Sequence, residues 1–285
     1  MKIRKIIGIL LTLLLLSGCS AAQNGTAPST TNTGDGTMLP KDKTYNILFI
    51  GNSYTFYNDM PAAFFSPMAR SCGYKVNVEA ITKGAYTLEK FADPKDNYGM
   101  LVNNALSGAT KYDYVIIQEQ SVRPAVSSGA FFDGVRSLAE KIRAAGAQPV
   151  LYATWGRKDG SDTLTKYDFS SEEMTWKLAA AYDAIGKELD IPVVQVGAAF
   201  YDVYHSSSIE LFSDDKSHPS PAGSYLAAMA LTCGIFGTDP DQITITGPVS
   251  AEEDTIIRNA VRAPSPIPES YIIDSVGVTA PTDPK

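Results

Sequence analysis

Short apolar runs alternate along this chain with longer amphipathic stretches. Four of the runs are almost continuously apolar, at residues 46–50, 114–117, 149–153 and 192–196. Continuous apolar character is typical of parallel strands covered on both faces, whereas the alternation of residues 74–81 is typical of a more exposed edge strand. The pattern predicts an α/β protein, a three-layer α/β/α sandwich around a five-stranded parallel sheet.

The stretches between the strands carry helix signals. Pro61 would open a helix, since proline is favoured at the first helical position. Ser171 would cap a helix before two glutamates, and Ser250 begins a capping-box pattern. These signals and the apolar spacing predict helices over residues 61–71, 131–145, 171–189 and 220–236, with a last short helix after residue 250.

The N-terminus has the order of a lipoprotein signal. Basic residues at positions 2, 4 and 5 precede an apolar stretch at 6–16, which is too short to span a bilayer comfortably, and Leu-Ser-Gly-Cys then ends at Cys19. We expect residues 1–19 to be a signal peptide and Cys19 to become the lipidated N-terminus. The protein would then be extracytoplasmic and anchored to the bacterial membrane. The alternative is an ordinary secretory signal with an incidental cysteine.

The rest of the chain divides into three parts. Residues 20–40 are mostly small and polar, cannot bury enough surface to offset chain entropy, and are expected to form a flexible linker. Residues 41–263 have a globular composition that suits one domain. Residues 264–285 form a proline-rich C-terminal tail.

The charge balance argues against some partners. The formal net charge is −7, and it becomes −10 without the three basic residues of 1–18. An acidic domain outside the cytoplasm is a poor candidate for binding nucleic acid or anionic lipid, and it fits a neutral or cationic substrate. No metal-ligand pattern is present in the sequence.

Two cysteines remain if Cys19 is lipidated. Cys72 and Cys233 both lie near the ends of predicted helices. A disulfide between them is permitted outside the cytoplasm, but two free thiols are the favoured interpretation.

Three residues have the chemistry of nucleophilic catalysis. Ser53 follows the first apolar run within Gly-Asn-Ser-Tyr-Thr at 51–55, and Asp215 and His218 stand three apart before the helix predicted at 220. Sites in parallel sheets form beyond the carboxyl ends of the strands, where all three are expected. We therefore hypothesise that Ser53 is the nucleophile, that His218 is its general base and then a general acid, and that Asp215 orients the imidazole.

Other residues at this edge would complete the site. An oxyanion hole needs hydrogen-bond donors, and the backbone N–H groups of Ser53 and Gly84 are candidates. Gln118 and Gln120 follow the third strand, and either side-chain amide could be a third donor. Residues at the predicted site end are also expected to contact substrate: Asn52, Tyr54, Gln118 and Trp155.

These blocks together resemble the four blocks of the SGNH (GDSL-like) hydrolase superfamily, over residues 46–236. The first block departs from the family pattern in Asn52, which replaces aspartate, and in Tyr54, which replaces the usual leucine. The third block reads Gln-Glu-Gln-Ser at 118–121 instead of Gly-x-Asn-Asp, so that Gln120 stands at the oxyanion asparagine. The variant resembles a bacterial subgroup of uncharacterised secreted members.

The resemblance implies a flavodoxin-like fold and ester hydrolysis through an acyl-enzyme, with no metal or organic cofactor. The expected partners are an ester substrate, an acylated glycan in first place, and the membrane through the lipid anchor. A carbohydrate O-acetylesterase is the favoured function because an anchored extracytoplasmic enzyme meets the glycans of the envelope. The alternative is a catalytically weak or inactive lipoprotein of the same fold that binds glycans.

Overall fold

A five-stranded sheet forms the centre of the protein. The structure is a computed structural model and describes residues 39–273; the expected signal peptide, most of the linker and the end of the tail lie outside the described residues. All strand pairs are parallel and the order is β2-β1-β3-β4-β5. The strands are β1 (Thr44–Gly51), β2 (Lys75–Thr82), β3 (Tyr114–Ile117), β4 (Gln148–Ala153) and β5 (Val193–Gln195).

Helices cover both faces of the sheet, which confirms the predicted three-layer sandwich. In β1, Tyr45, Ile47 and Phe49 belong to one buried core, whereas Leu48 and Ile50 belong to the other. Each apolar strand therefore has both of its sides in a core, which is why its sequence is almost continuously apolar. The predicted edge strand is β2, at one end of the sheet.

The helices segregate between the two layers. Helices α2, α9, α10 and α11 contribute to the first core, and helices α3, α4, α6 and α8 contribute to the second. A π-helical segment, Met60–Phe65, leads directly into α2, so the helix predicted at 61–71 has two parts. The helix bounds are α1 (Ser53–Phe56), α2 (Ser66–Ser71), α3 (Leu88–Ala92), α4 (Asn97–Ser107), α5 (Arg123–Val126), α6 (Ser128–Ala144), α7 (Asp162–Tyr167), α8 (Ser171–Leu189), α9 (Val196–Ser206), α10 (Pro221–Phe236) and α11 (Ala251–Arg262).

The helix caps confirm one sequence prediction and correct another. Ser250 forms the predicted capping box with Glu253 at the start of α11. Ser171, however, is the first helical residue of α8 and not its cap. Ser170 holds that position, because its hydroxyl accepts the N–H of Glu173 while the Glu173 carboxylate accepts the N–H of Ser170.

The described start of the proline-rich tail contacts the domain. The Ser265 N–H and hydroxyl both donate to the Asp202 carboxylate on α9, at 2.8 and 2.6 Å. Ile267 and Tyr271 pack beside Trp176 of α8. Within residues 39–273, no helix is both long and apolar enough to cross a membrane. Cys72 and Cys233 are free thiols.

Candidate active site

Ser53 begins the short helix α1 directly after β1, at the carboxyl edge of the sheet. Asn52 caps this helix, since its Oδ1 accepts the N–H of Tyr54 at 3.2 Å and its backbone carbonyl accepts the N–H of Thr55 at 2.9 Å. The buried Asn52 also donates from Nδ2 to the carbonyl of Tyr86, which follows β2. The nucleophile candidate is thus held on a capped turn tied to the neighbouring loop.

Side chains pack closely against Gly51, the residue before this turn, which explains why a glycine stands there. Gln118, at the end of β3, accepts the N–H of Asn52 and the hydroxyl of Thr55 on its Oε1, each at 2.9 Å. A Cβ added at Gly51 would lie 2.7 Å from that oxygen and 2.4 Å from the Thr55 hydroxyl. Glycine is required here because no larger residue leaves room for these hydrogen bonds.

Asp215 and His218 form a tight turn before α10. Oδ1 of Asp215 accepts the N–H groups of Ser217 and His218 at 3.0 and 2.9 Å, and Lys216 adopts a left-handed conformation with φ of 58°. The other carboxylate oxygen contacts Nδ1 of His218. The spacing of three residues therefore brings the carboxylate back to the imidazole ring, as the sequence pattern predicts.

The structure brings the three candidate residues together in one hydrogen-bonded chain. His218 Nε2 lies 2.7 Å from Ser53 Oγ, on the opposite side of the ring from Asp215. Burial raises the pKa of Asp215, but hydrogen bonds from the His218 ring and from the N–H groups of His218 and Ser217 outweigh burial and hold the pKa below its ordinary value. Asp215 is consequently ionised at neutral pH and can stabilise a protonated imidazole.

Aromatic rings fix the imidazole from two directions. The Tyr57 ring stacks on His218 with centroids 4.3 Å apart, and the Tyr54 ring meets it edge-on at 5.7 Å. Tyr54 itself stacks at 4.7 Å on Trp155, which stacks in turn at 4.3 Å on Phe200. These stacked rings connect the turn that carries Asp215 and His218 to the core.

A buried polar network joins the first, third and last blocks. The Tyr54 hydroxyl lies 3.0 Å from Ser217 Oγ, and Ser121 Oγ accepts from Arg157 Nη2 at 2.8 Å. Burial raises the pKa of Tyr54, while the charge of Arg157 and hydrogen bonds with Ser217 and Ser121 oppose the shift. The sequence pattern assigns no role to Ser121, Arg157 or Ser217. Each of them lies close in sequence to a candidate site residue: Gln120, Trp155 and His218, respectively.

The candidate oxyanion donors differ in whether they already take part in hydrogen bonds within the protein. Within the described part of the chain, the N–H groups of Ser53 and Gly84 have no hydrogen-bond acceptor. Gly84 lies exposed in the turn after β2, where an added Cβ would meet nothing within 4 Å. Gln120 caps the next loop, because its Oε1 accepts the N–H groups of Val122 and Arg123 while Nε2 faces Ser121 Oγ at 3.2 Å.

The four residues expected to contact substrate are all buried. Asn52 and Gln118 hold the turn around Ser53, as described above, and Gln118 Nε2 donates to the carbonyl of Glu119. Trp155 is only 1% exposed and donates from Nε1 to the carbonyl of Ser217, and Tyr54 is 2% exposed. The structure therefore places these side chains as supports of the site and not as walls that a substrate would touch.

Glu119 is a buried carboxyl group directly behind the third block. Both of its carboxylate oxygens accept the N–H of Leu88 at the start of α3, at 3.2 Å, and its own N–H donates to the Tyr182 hydroxyl. The side chain is fully buried, and burial raises its pKa to about 7 against hydrogen bonds from Gln120 and Leu88 that lower it. Its charge therefore changes near neutral pH.

Comparison with known proteins identifies the family. No protein-family model and no curated protein matches the chain. A solved structure of a protein classed as an SGNH hydrolase, from Slackia heliotrinireducens, is 35% identical with a TM-score of 0.60, and the match covers 68% of this chain and 100% of that one. A DUF4886 family protein from Bacteroides uniformis, at 15% identity, has a TM-score of 0.67 over 77% of this chain and 94% of its own and shares the fold. With a relative matched along its whole length at that identity, the chain belongs to the SGNH hydrolases.

Proposed function

We propose that this SGNH hydrolase is an extracytoplasmic serine esterase that removes acetyl groups from carbohydrate through an acyl-enzyme. The observation that carries the proposal is the chain from Ser53 Oγ to His218 Nε2, 2.7 Å apart, and on from His218 Nδ1 to Asp215. A nucleophile, a base within hydrogen-bond reach and a carboxylate that orients the base are the parts that acyl transfer needs.

The reaction follows from this geometry in two steps. His218 takes the proton of Ser53 as Oγ bonds to the ester carbonyl carbon, and the tetrahedral intermediate then expels the sugar alkoxide, which takes that proton from His218. Water, deprotonated by His218, next attacks the acetyl-serine. The second intermediate releases acetate and returns the proton to Ser53.

The developing oxyanion needs preorganised donors. The free N–H groups of Ser53 and Gly84 support a two-donor oxyanion hole at the carboxyl edge of the sheet. Gln120 would add its side-chain amide only after turning from Ser121, against which Nε2 now lies. We therefore assign the principal stabilisation to the two backbone groups.

Exposed aromatic surface beside the nucleophile supports a sugar substrate. Phe56 is 40% exposed at the end of α1, and Tyr57 lies partly exposed beside His218. Flat aromatic faces suit the apolar faces of pyranose rings, while polar groups orient the ring. An enzyme held at the cell envelope by a lipidated Cys19 would meet such glycans continually.

The first test compares the soluble domain, without residues 1–19, with its Ser53→Ala variant. Acetate release from 4-nitrophenyl acetate and from an acetylated polysaccharide is expected to fall by about a thousandfold or more in the variant. Ser208→Ala, which changes an exposed serine outside the hydrogen-bonded chain of Ser53, His218 and Asp215, serves as the control and is expected to keep wild-type rates. Equal rates in Ser53→Ala and wild type would exclude the serine mechanism.

A second test addresses the anchor. In a bacterial host fed a labelled fatty acid, the full-length protein is expected to take up label and to enter the membrane fraction. Cys19→Ser is expected to abolish both, whereas Cys72→Ser is the matched control and should change neither. Labelling that survives Cys19→Ser would contradict lipidation at this residue.

The position of Gln120 favours one alternative function. If its capping bonds with Val122 and Arg123 leave the oxyanion hole too weak, the protein would bind glycans without hydrolysing them. A fluorophosphonate probe separates the two functions, because it labels an activated serine whatever the substrate. Failure of a folded wild-type protein to react at Ser53 would favour the binding function.

A further inference from the structure

Arg157 lies after β4 at the same sheet edge as Ser53, and its guanidinium group has no carboxylate partner among the residues that the structure describes. The ion pairs among residues 39–273 involve other basic side chains. Arg157 donates from Nη2 to the neutral Ser121 hydroxyl at 2.8 Å, and its buried Nε has no acceptor within that same span. Burying part of a charge without a counter-ion costs free energy, and the contacts of Arg157 within the described residues do not fully offset that cost.

Arg123 provides a comparison within the same chain. Its Nε is also buried without an acceptor in the described residues, but its guanidinium group forms an ion pair with Glu89. Arg157 instead lies over the ring of Tyr54, with the guanidinium carbon 5.7 Å from the ring centre. A cation–π contact recovers only part of the cost of removing the charge from water. The remaining Nη hydrogens of Arg157 are available to an anion from outside.

The guanidinium group and the imidazole of His218 both contact the ring of Tyr54. The centre of the His218 imidazole is also 5.7 Å from the centre of the Tyr54 ring, and Tyr54 directly follows Ser53. Arg157 and His218 therefore share one aromatic neighbour at the same edge of the sheet, so that a sugar bound with its ester at Ser53 could present another of its groups to Arg157. The planar fork of arginine matches a carboxylate, which it binds through two parallel hydrogen bonds.

We propose that Arg157 binds a carboxylate on the sugar that carries the ester, so that acetylated acidic glycans are the preferred substrates. The inference rests on the proposed ester hydrolysis at Ser53, and it changes the expectation of a neutral or cationic substrate that the net charge suggests. Repulsion between net charges is screened beyond about 8 Å at physiological ionic strength, whereas a carboxylate in contact with the guanidinium group is not.

The test uses one polymer in two charge states. Acetate release is measured from O-acetylated polygalacturonate with free carboxylates and from the same polymer after methyl esterification of the carboxylates. Wild type is expected to prefer the free-carboxylate form by about ten- to a hundredfold in kcat/KM, the range of a hydrogen bond to a charged group. In Arg157→Gln the ratio of kcat/KM between the two forms of the polymer is expected to fall to about one, independently of any change in its rate on 4-nitrophenyl acetate, and Arg157→Lys should retain part of the ratio.

Lys158→Gln is the matched control. It removes the same charge from the adjacent residue, but the Lys158 ammonium group is already paired with Glu210. Glucuronate should also inhibit hydrolysis of 4-nitrophenyl acetate by wild type and by Lys158→Gln, and not by Arg157→Gln. This inhibition does not depend on which hydroxyl of the polymer is acetylated.

Two failures are distinguishable. If wild type hydrolyses 4-nitrophenyl acetate but glucuronate does not inhibit it and neither polymer is preferred, the carboxylate inference is wrong while ester hydrolysis stands. The carboxylate inference is also wrong if Arg157→Gln slows all substrates equally, since that indicates a structural or oxyanion role. If wild type hydrolyses no ester, the proposed function fails, and calorimetric binding of glucuronate to wild type but not to Arg157→Gln would still support the subsite.

Discussion

Tyr54 stands where the SGNH pattern has leucine, and its hydroxyl makes the substitution significant. The ring fills the core against Trp155 as an apolar side chain would, but the hydroxyl bonds to Ser217, the neighbour of His218. Ser121 replaces the aspartate of the third block and interacts with the same hydroxyl. The two departures from the pattern therefore belong to one buried polar network.

Removing this hydroxyl tests the coupling. Tyr54→Phe is expected to destabilise the protein by about 1–3 kcal/mol, since it leaves the buried Ser217 hydroxyl without this partner, and to lower kcat more than it changes KM. Urea unfolding and steady-state kinetics on 4-nitrophenyl acetate measure the two effects.

A matched control separates stability from catalysis. Tyr74 is an equally buried tyrosine whose hydroxyl donates to the carbonyl of Phe236 at the far end of α10. Tyr74→Phe is expected to lose stability and to keep kcat. Equal losses of kcat in both variants would show that Tyr54 acts only through global stability.

At the scale of single residues, the sequence predicts the candidate reacting groups, which the structure brings together, better than the groups around them. Ser53, Asp215 and His218 carry a recognisable pattern because the chemistry demands particular side chains at particular spacings. Trp155 has no such signal, and an aromatic residue in a loop after a strand is equally compatible with a wall of the site or with the core beneath it. Its burial depends on the stacking with Phe200, which sequence spacing does not reveal.

At the scale of elements, the strands were predictable because burial on both faces imposes a continuous apolar pattern. Two long helices were missed for physical reasons. The side chain of Gln195, the residue before α9, does not cap the helix and donates instead to the carbonyl of Ala179, and the apolar run of β5 continues into the helix without a break. In α4, the exposed side chains of Met100 and Leu101 obscure the helical period of its apolar face.

The link between β3 and α3 is expected to respond to pH through Glu119. Its pKa is raised from 4.5 to about 7, so the folded state binds a proton more tightly than the unfolded state does. The resulting stability is fully present below about pH 4.5 and is lost as the pH rises through about 7. Wild type should therefore lose about 3 kcal/mol relative to Glu119→Gln between pH 4.5 and 8.

Urea unfolding across this pH range measures the difference. Glu140→Gln, which changes an exposed carboxylate on α6, is the control and should give a curve parallel to that of wild type. Parallel curves for wild type and Glu119→Gln would show that Glu119 does not change its charge between the folded and unfolded states in this range.

At the scale of the whole molecule, the parallel topology gathers the site from distant parts of the chain. Ser53 follows β1, Gly84 follows β2, Gln120 follows β3 and His218 precedes α10, and the common direction of the strands places all four at one edge. This assembly was predictable without any contact information, because strand direction alone decides at which edge each loop emerges. The direction of the Gln120 amide was not, since it depends on capping bonds made after the loop has formed.

The separation of Ser53 from His218 has a consequence for when the enzyme can act. The two side chains that meet at 2.7 Å are 165 residues apart in sequence, and the sheet between them must be in register before they approach. No short segment of the chain contains both Ser53 and His218. A polypeptide that is still being synthesised, or is still unfolded, therefore lacks this pairing of serine and histidine, which forms only when the whole topology is complete.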